Sequence, residues 1–403
     1  MHRKADRLLT LQIAGLQGFY WMIYCPIASF ASVYLLSKNF SNQNIGWVMA
    51  IANIFAVVMQ PAVGALIDRF VKISPKLVLC LMTILSLILL AGLIFLDVGM
   101  LWMAVLYVGI IALLFTMQPL VTSLTFEYIN AGRDVNFSAT RATGSITFAI
   151  LSTLLGIWIN RYSTDILPMI CCGLFVGFLL LILTCPPVTR RTPLRQVEEI
   201  QVKRPSSGFL RKYERFIPFL IGIAFLFLFH TIINTYMAQI MVSLGGKGTD
   251  MGVSMSIAAV FELPAFLGFS FLVAKFDNRS LLKFSAVVYA LRSFIFLLAA
   301  SIGMIYLGQA FQGLTFAIYL PAAVYYVNQM MENEDKVKGQ TFITSTMTIG
   351  GVVGSVVGGW LLDHYNVHVM LLFGAAAAVI GCLLMVYSVR KPKAASAVPV
   401  AGE

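Results

Sequence analysis

LVLCLMTILSLILLAGLIFL (77–96) runs for twenty residues without a charge, bounded by Lys76 and Asp97. At about 1.5 Å of rise per residue, a helix of that length crosses the roughly 30 Å hydrocarbon layer of a bilayer. An open strand there would leave its backbone groups unsatisfied in lipid, so a helix is the expected element. Working outward, comparable runs fall near 8–36, 44–66, 100–124, 140–160, 166–186, 216–243, 252–274, 280–300, 303–328, 340–363 and 367–389. The first follows Arg3, Lys4 and Arg7, as a secretion signal would. It is too long, contains Gln12 and Gln17, and lacks a small-residue cleavage pattern, so it reads as a true span. Composition agrees. Of 403 residues only 11% are charged, against about 25% in a soluble domain, too few to cover a soluble surface.

The loops between the runs set the orientation. With the N-terminus inside, inner segments hold 24 of the 28 Lys and Arg residues, outer loops hold Lys38, Arg161 and Lys247, and Arg292 lies within a span. An excess of cations on the cytoplasmic side is the rule for membrane proteins, so both termini are expected to be cytoplasmic. The net charge of +11 is then a topology signal and not a nucleic-acid footprint. The six cysteines lie in or at the ends of apolar runs, without a CxxC or Cys/His spacing, and read as small apolar residues. No metal, cofactor or enzymatic site is expected, since the chain has no phosphate-binding loop or nucleophile constellation.

The longest loop, PPVTRRTPLRQVEEIQVKRPSSGFLRKYER (186–215), divides the chain near its middle. Its end is expected to form a short interfacial helix with Phe209, Tyr213 and Phe216 toward lipid. On either side the pattern partly repeats: GALIDRFVK (64–72) answers LVAKFDNRS (272–280), and LLGIW (154–158) answers VVGGW (356–360). The expected architecture is an all-α membrane protein of twelve transmembrane helices in two six-helix halves, 1–186 and 216–389. A basic linker (187–215) joins them and a cytoplasmic tail (390–403) follows. Gly350, Gly354 and Gly358 recur every four residues and make a flat strip for another helix, serving either static packing or sliding.

A charge near the bilayer centre costs about 2.5–3.5 kcal/mol on insertion scales, so deep charges are candidates for function. Glu262 is the one acid deep within a span and Arg292 the one deep base. By helical rise they lie about 15 Å and 12 Å from the outer side, nearly level, as an ion pair would need. His230, in the aromatic run FLFLFHTIINTY (225–236), is either a core histidine or a relay, since imidazole titrates near neutral pH. Gln118, Asn234, Gln312 and Tyr319 are mid-depth polar groups that suit a hydroxylated solute or bond helices together. Glu127, near an inner helix end, suits a gate. Arg141 reads either as an interfacial anchor or as a ligand.

GALIDR resembles the signature loop of the major facilitator superfamily, Gly-x-x-x-Asp-Arg/Lys followed by basic residues, here Gly64, Asp68, Arg69 and Lys72. FAVVMQPAVGALIDR (55–69) and VNFSATRATGSITFAI (135–150) are similar to the oligosaccharide–proton symporters that include the lactose permease-like transporters. The resemblance implies that Arg141 bonds sugar hydroxyls, that Phe148 stands where those relatives stack an aromatic ring on the sugar, and that Glu262 and Arg292 couple transport to protons. It departs at Ser123, where the helix-four acid is expected, at His230 and Asn234 in span seven, and in span ten, where 301–329 contains no His, Asp or Glu. The expected activity is proton-coupled uptake of a sugar or small oligosaccharide by a monomer in the plasma membrane. Drug efflux, nucleoside uptake and a non-transporting sensor are the rivals. Efflux relatives carry a Gly-Pro-rich motif in span five, and GSITFAILSTLLG (144–156) has no proline.

Asp68 and Arg69 at an inner helix end are expected to act on conformational cycling and not on binding. Asp68→Asn should slow transport strongly in reconstituted vesicles while solute affinity stays within a fewfold. Unchanged transport would remove Asp68 from the gate.

Overall fold

A computed structural model describes residues 2–70, 73–187, 209–332 and 334–390. Lys72, the linker residues 188–208 and the tail 391–403 lie outside the described residues. The described residues are helical, with no strand. In the N-terminal bundle these helices are α1 (His2–Tyr24), α2 (Ala31–Ser37), α3 (Asn42–Arg69), α4 (Pro75–Phe95), α5 (Met100–Asn130), α6 (Phe137–Arg161) and α7 (Ile166–Thr184). A short α8 (Phe209–Lys212) leads into α9 (Phe216–Thr235), α10 (Met237–Ser243), α11 (Gly248–Leu267), α12 (Phe269–Lys275) and α13 (Asn278–Leu297). The chain ends with α14 (Ile302–Ala310), α15 (Phe316–Met330), α16 (Lys336–His364) and α17 (Val367–Ser388). Eleven segments are long and apolar enough to cross a bilayer, or twelve when the bent series from Arg7 to Ser37 is one span.

That bend of 43° has a local cause. Pro26 lies in a π-helical turn, Cys25–Ser29, where Phe30 N–H bonds to Cys25 O at 3.1 Å. Proline removes a donor and crowds the preceding turn, so the ladder slips by one residue and the helix kinks.

The two bundles meet through α3 against α16 and α6 against α11. Their described cross-bundle hydrogen bonds lie in one half of the molecule. Asp363 accepts from the Asn42 backbone at 3.0 Å, the Asn42 side chain at 2.8 Å and the Gln43 backbone at 2.8 Å. On the other pair, Asn160 accepts from Gly248 N–H at 3.1 Å, and Ser256 bonds Ser152 at 2.7 Å and Thr153 at 2.6 Å. Glycine makes these approaches possible. A Cβ on Gly46 would strike the Ser355 carbonyl, and one on Gly252 the Ser152 carbonyl, with Gly156 Cα at 3.1 Å.

Burial follows the seams. All buried residues of α3 except Ile67 lie between Ile45 and Ala56, and those of α11 between Met251 and Ala259. Past them a crevice opens toward the end where Thr10 meets Asp134 and Gln12 meets Thr184. A Cβ on Gly64 would meet nothing within 4 Å.

The glycine strip of α16 serves two partners. Gly350 and Gly354 press on Ala224 and Leu228 of α9 within their own bundle, whereas Gly359 meets Asn42 across the seam. The linker aromatics correct the sequence reading. Phe209 and Phe216 were expected toward lipid, but both are buried, and Phe209 stacks on Phe342 with centroids 5.5 Å apart. Polar anchors hold them there. Lys212 bonds Glu332 at 2.7 Å and Asp335 at 3.1 Å, and Tyr213 donates to Asp335 at 3.1 Å. Burial alone would raise the Asp335 carboxyl, but bonds from Lys212, Tyr213 and Lys338 outweigh it and hold it below the usual carboxylate range.

Overpacking a close contact costs about 1–3 kcal/mol, enough to shift a two-state opening roughly tenfold. Gly252→Leu should therefore leave the protein folded but pry the seam apart. A reporter cysteine at Ser355, fully buried at the other seam, in a chain lacking the six native cysteines, should then react with a maleimide about tenfold faster. An unchanged rate would mean that the seam tolerates the side chain.

Candidate solute site

The crevice begins where the seams end. On α11 the seam closes with Ala258 and Ala259, and Glu262 follows about one turn later. On α6, Ala149 still touches α11 through its carbonyl, which accepts from Ser256 at 2.5 Å, and Phe148 precedes it. The seams therefore place Glu262 and the Phe148–Arg141 stretch of α6 at the same junction, from opposite bundles.

On the C-terminal side a polar chain runs inward from Glu262. Its Oε1 accepts from Gln312 Nε2 at 2.9 Å, and Gln312 Oε1 accepts from Arg292 Nη1. Arg292 is fully buried. Its remaining donors reach Gly308 O at 2.8 Å, Gln309 Oε1 at 2.5 Å and Thr315 Oγ1 at 3.3 Å. Gln312 sits in a 3-10 turn, Phe311–Gly313, that breaks span ten between α14 and α15. Gly313 permits the turn to press on the Phe261 carbonyl of α11, where a Cβ would clash. That close approach is what delivers the Gln312 amide to Glu262. Glu262 and Arg292 do come together, but the expected direct ion pair is replaced by a glutamine bridge.

On the N-terminal side, the Arg141 guanidinium carbon lies 4.4 Å from the centroid of the Trp21 ring. Gly144, three residues on and so on the same helical face, gives the indole its seat: a Cβ there would clash with the ring. Tyr24 packs 5.7 Å from Phe115 and 6.5 Å from Phe148, so an aromatic wall continues from Trp21. Arg141 and Glu262 lie within electrostatic reach of each other across the crevice, and Tyr24 within reach of Glu262.

The other sequence-selected residues divide. His230 stacks on Phe316 at 5.2 Å and lies within reach of the Arg292 charge, with Nδ1 buried and unbonded. It does not bond Glu262, so the structure gives it no direct relay contact there. Asn234 donates to His230 O at 2.8 Å, which ties it into its own helix. Tyr319 is buried 5.3 Å from Phe227 with its hydroxyl unbonded. Gln118 and Ser123 are exposed on α5, outside the network described. Asp68 and Arg69 are exposed at the end of α3, and Glu127 is half-buried near the end of α5. Asp68, Arg69 and Gly64 lie on the stretch of α3 beyond Ala56, away from its buried seam.

Sequence reading missed Trp21, Tyr24 and Gln309. The Arg141/Gly144 spacing was the available signal, but nothing in the chain said which residue, some 120 positions away, would fill the seat. A cavity of about 770 Å³ lies elsewhere, at the sealed end, lined by residues including Asn42, Asn160, Gln239, Met251 and Phe296. The crevice remains the candidate site, because Arg141 of one bundle and Glu262 of the other converge there and neither lines the cavity.

The chain is 25% identical over 394 residues to maltose permease of Geobacillus stearothermophilus, covering 94% of each chain. Among solved structures it superposes on the nucleoside transporter NupG with a TM-score of 0.82 at 18% identity, covering 95% of this chain and 99% of that one. A D-xylose-proton symporter gives 0.68 at 15% identity, covering 96% and 98%. These structural likenesses establish the fold. The MFS_1 like family model matches residues 13–373, and the chain accordingly belongs to that family of major facilitator transporters, as a multi-pass membrane protein.

Proposed function

We propose that the chain is a secondary active transporter that takes up a sugar or small oligosaccharide together with a proton by alternating access. The observation that carries this reading is the convergence of Arg141 with Trp21 and of Glu262 with Gln312 on one crevice between two bundles sealed at the other end. A flat indole beside a guanidinium suits a pyranose. The ring's apolar face packs on the aromatic, while the hydroxyls bond the charged and amide groups. The kinship with a maltose permease supports the solute class. With both termini cytoplasmic, as the loop charges imply, the sealed end is outer and the crevice faces the cytoplasm.

Transport then requires the seams to part and the opposite ends to meet. Gly64, Asp68, Arg69 and Glu127 lie toward that opposite end and are the groups we assign to its gate. Phe148 lines the solute's aromatic side, and Tyr319 and His230 support the C-terminal wall. In the cycle, Glu262 holds the proton. An acid in a low-dielectric site prefers its neutral form, and a cation brought near favours the charged one. Gln312 carries the influence of Arg292 to Glu262, and movement of Arg141 toward or away from Glu262 supplies the conformational switch.

Lysine cannot reproduce the planar fork of arginine, and losing charge-assisted bonds of about 1.5–3 kcal/mol weakens binding by roughly tenfold or more. Arg141→Lys and Arg141→Ala should each lose most solute binding, measured by calorimetry on folded protein. Retained binding in the alanine variant would make Arg141 an anchor only.

The coupling assignment is tested in proteoliposomes with an imposed pH gradient. Glu262→Gln should abolish gradient-driven accumulation while counterflow of unlabelled against labelled solute persists in part. Normal accumulation by this variant would place coupling elsewhere.

A further inference from the structure

The charges of the central crevice do not balance. Two guanidinium groups, Arg141 at the crevice and Arg292 buried behind Gln312, lie within electrostatic reach of one carboxylate, Glu262, and neither arginine forms an ion pair with a described residue. Counting two positive charges against one negative leaves one in excess when Glu262 is ionised, and two when it is protonated. The hydrogen-bonding inventory leans the same way. Trp21 Nε1, on the ring beneath the Arg141 guanidinium, is a buried donor without a partner. Glu262 offers acceptors, yet one of its oxygens is already taken by Gln312. Both observations describe a site with surplus cation and an unmatched N–H donor.

We propose that the preferred solute is a sugar bearing one carboxylate, with that carboxylate bridging the edge of the Arg141 guanidinium and the neighbouring Trp21 Nε1–H. The inference rests on the sugar reading above and narrows it. Trp21 lies directly under the guanidinium, held there because Gly144 has no side chain. A carboxylate is planar and accepts two parallel bonds from the arginine fork, while the neighbouring indole donates a third and can do nothing but donate. A neutral sugar could use the same aromatic face but would leave the excess charge unmatched. Gln312 is where the imbalance arises. It fills the place beside Arg292 with an amide, and a carboxylate there would neutralise the guanidinium directly.

The test compares neutral and acidic forms of the same sugar on purified wild-type protein in nanodiscs at neutral pH, by calorimetry. The probes are maltose against maltobionate and glucose against glucuronate, with glucose 6-phosphate as a second anion. Each carboxylate should bind at least about tenfold more tightly than its neutral parent, the scale of one good charge-assisted contact. Gln312→Glu, which supplies the missing carboxylate, should erase that preference. Equal or tighter binding of the neutral parents overturns this inference and leaves the sugar reading standing. Binding of none of the five overturns both. Tighter binding of the phosphate than of glucuronate overturns the carboxylate assignment. A folded Gln312→Glu protein that keeps the anion preference overturns the charge argument, and the wild-type comparison decides the matter without that variant.

Discussion

Two apolar helices in hydrocarbon gain little by hiding their side chains from each other, because lipid tails are as apolar as leucine. What holds them together is close contact, and backbone-to-backbone contact is available only where side chains are missing. In this chain the glycines at 46, 156, 252 and 359 supply it between the bundles. Asn42, Asp363, Asn160 and Ser256 add hydrogen bonds whose partners lie in the opposite bundle. Everything else about the shape follows from where those contacts stop. The seams occupy one half of α3, α6, α11 and α16, so the bundles part over the other half. Just past the seam, Glu262 and Phe148 become the floor of a crevice.

Burying Arg292 looks unaffordable until its partners are counted. Insertion at mid-membrane costs about 2.5–3.5 kcal/mol, while hydrogen bonds to a charged group contribute about 1.5–3 kcal/mol each. Four acceptors, two of them glutamine oxygens, offset the cost without any carboxylate. The break in span ten makes this possible. A continuous helix would have used the Gly308 carbonyl in its own ladder and turned Gln309 and Gln312 according to helical period alone. The 3-10 turn tightens the backbone so that both amides and a main-chain oxygen meet one guanidinium. A bridging amide also transmits polarity in one sense: its oxygen faces the cation and its N–H₂ faces the acid. Glu262 thus senses Arg292 through a neutral group.

Hydropathy is a property of each segment taken alone, and it sufficed to read the helical spans and their approximate limits. Loop charge supplied the expected orientation by the same local logic. The lateral arrangement is a different kind of information. That Arg141 lies over Trp21, that Gln312 stands between Glu262 and Arg292, and that Phe209 turns from lipid onto Phe342 each depend on contacts between residues distant in the chain. Gly144 and Gly313 mark two of those contacts in the sequence, but a glycine says only that something comes close. The identity of the neighbour is set by how whole helices pack, and that is decided by the tertiary structure.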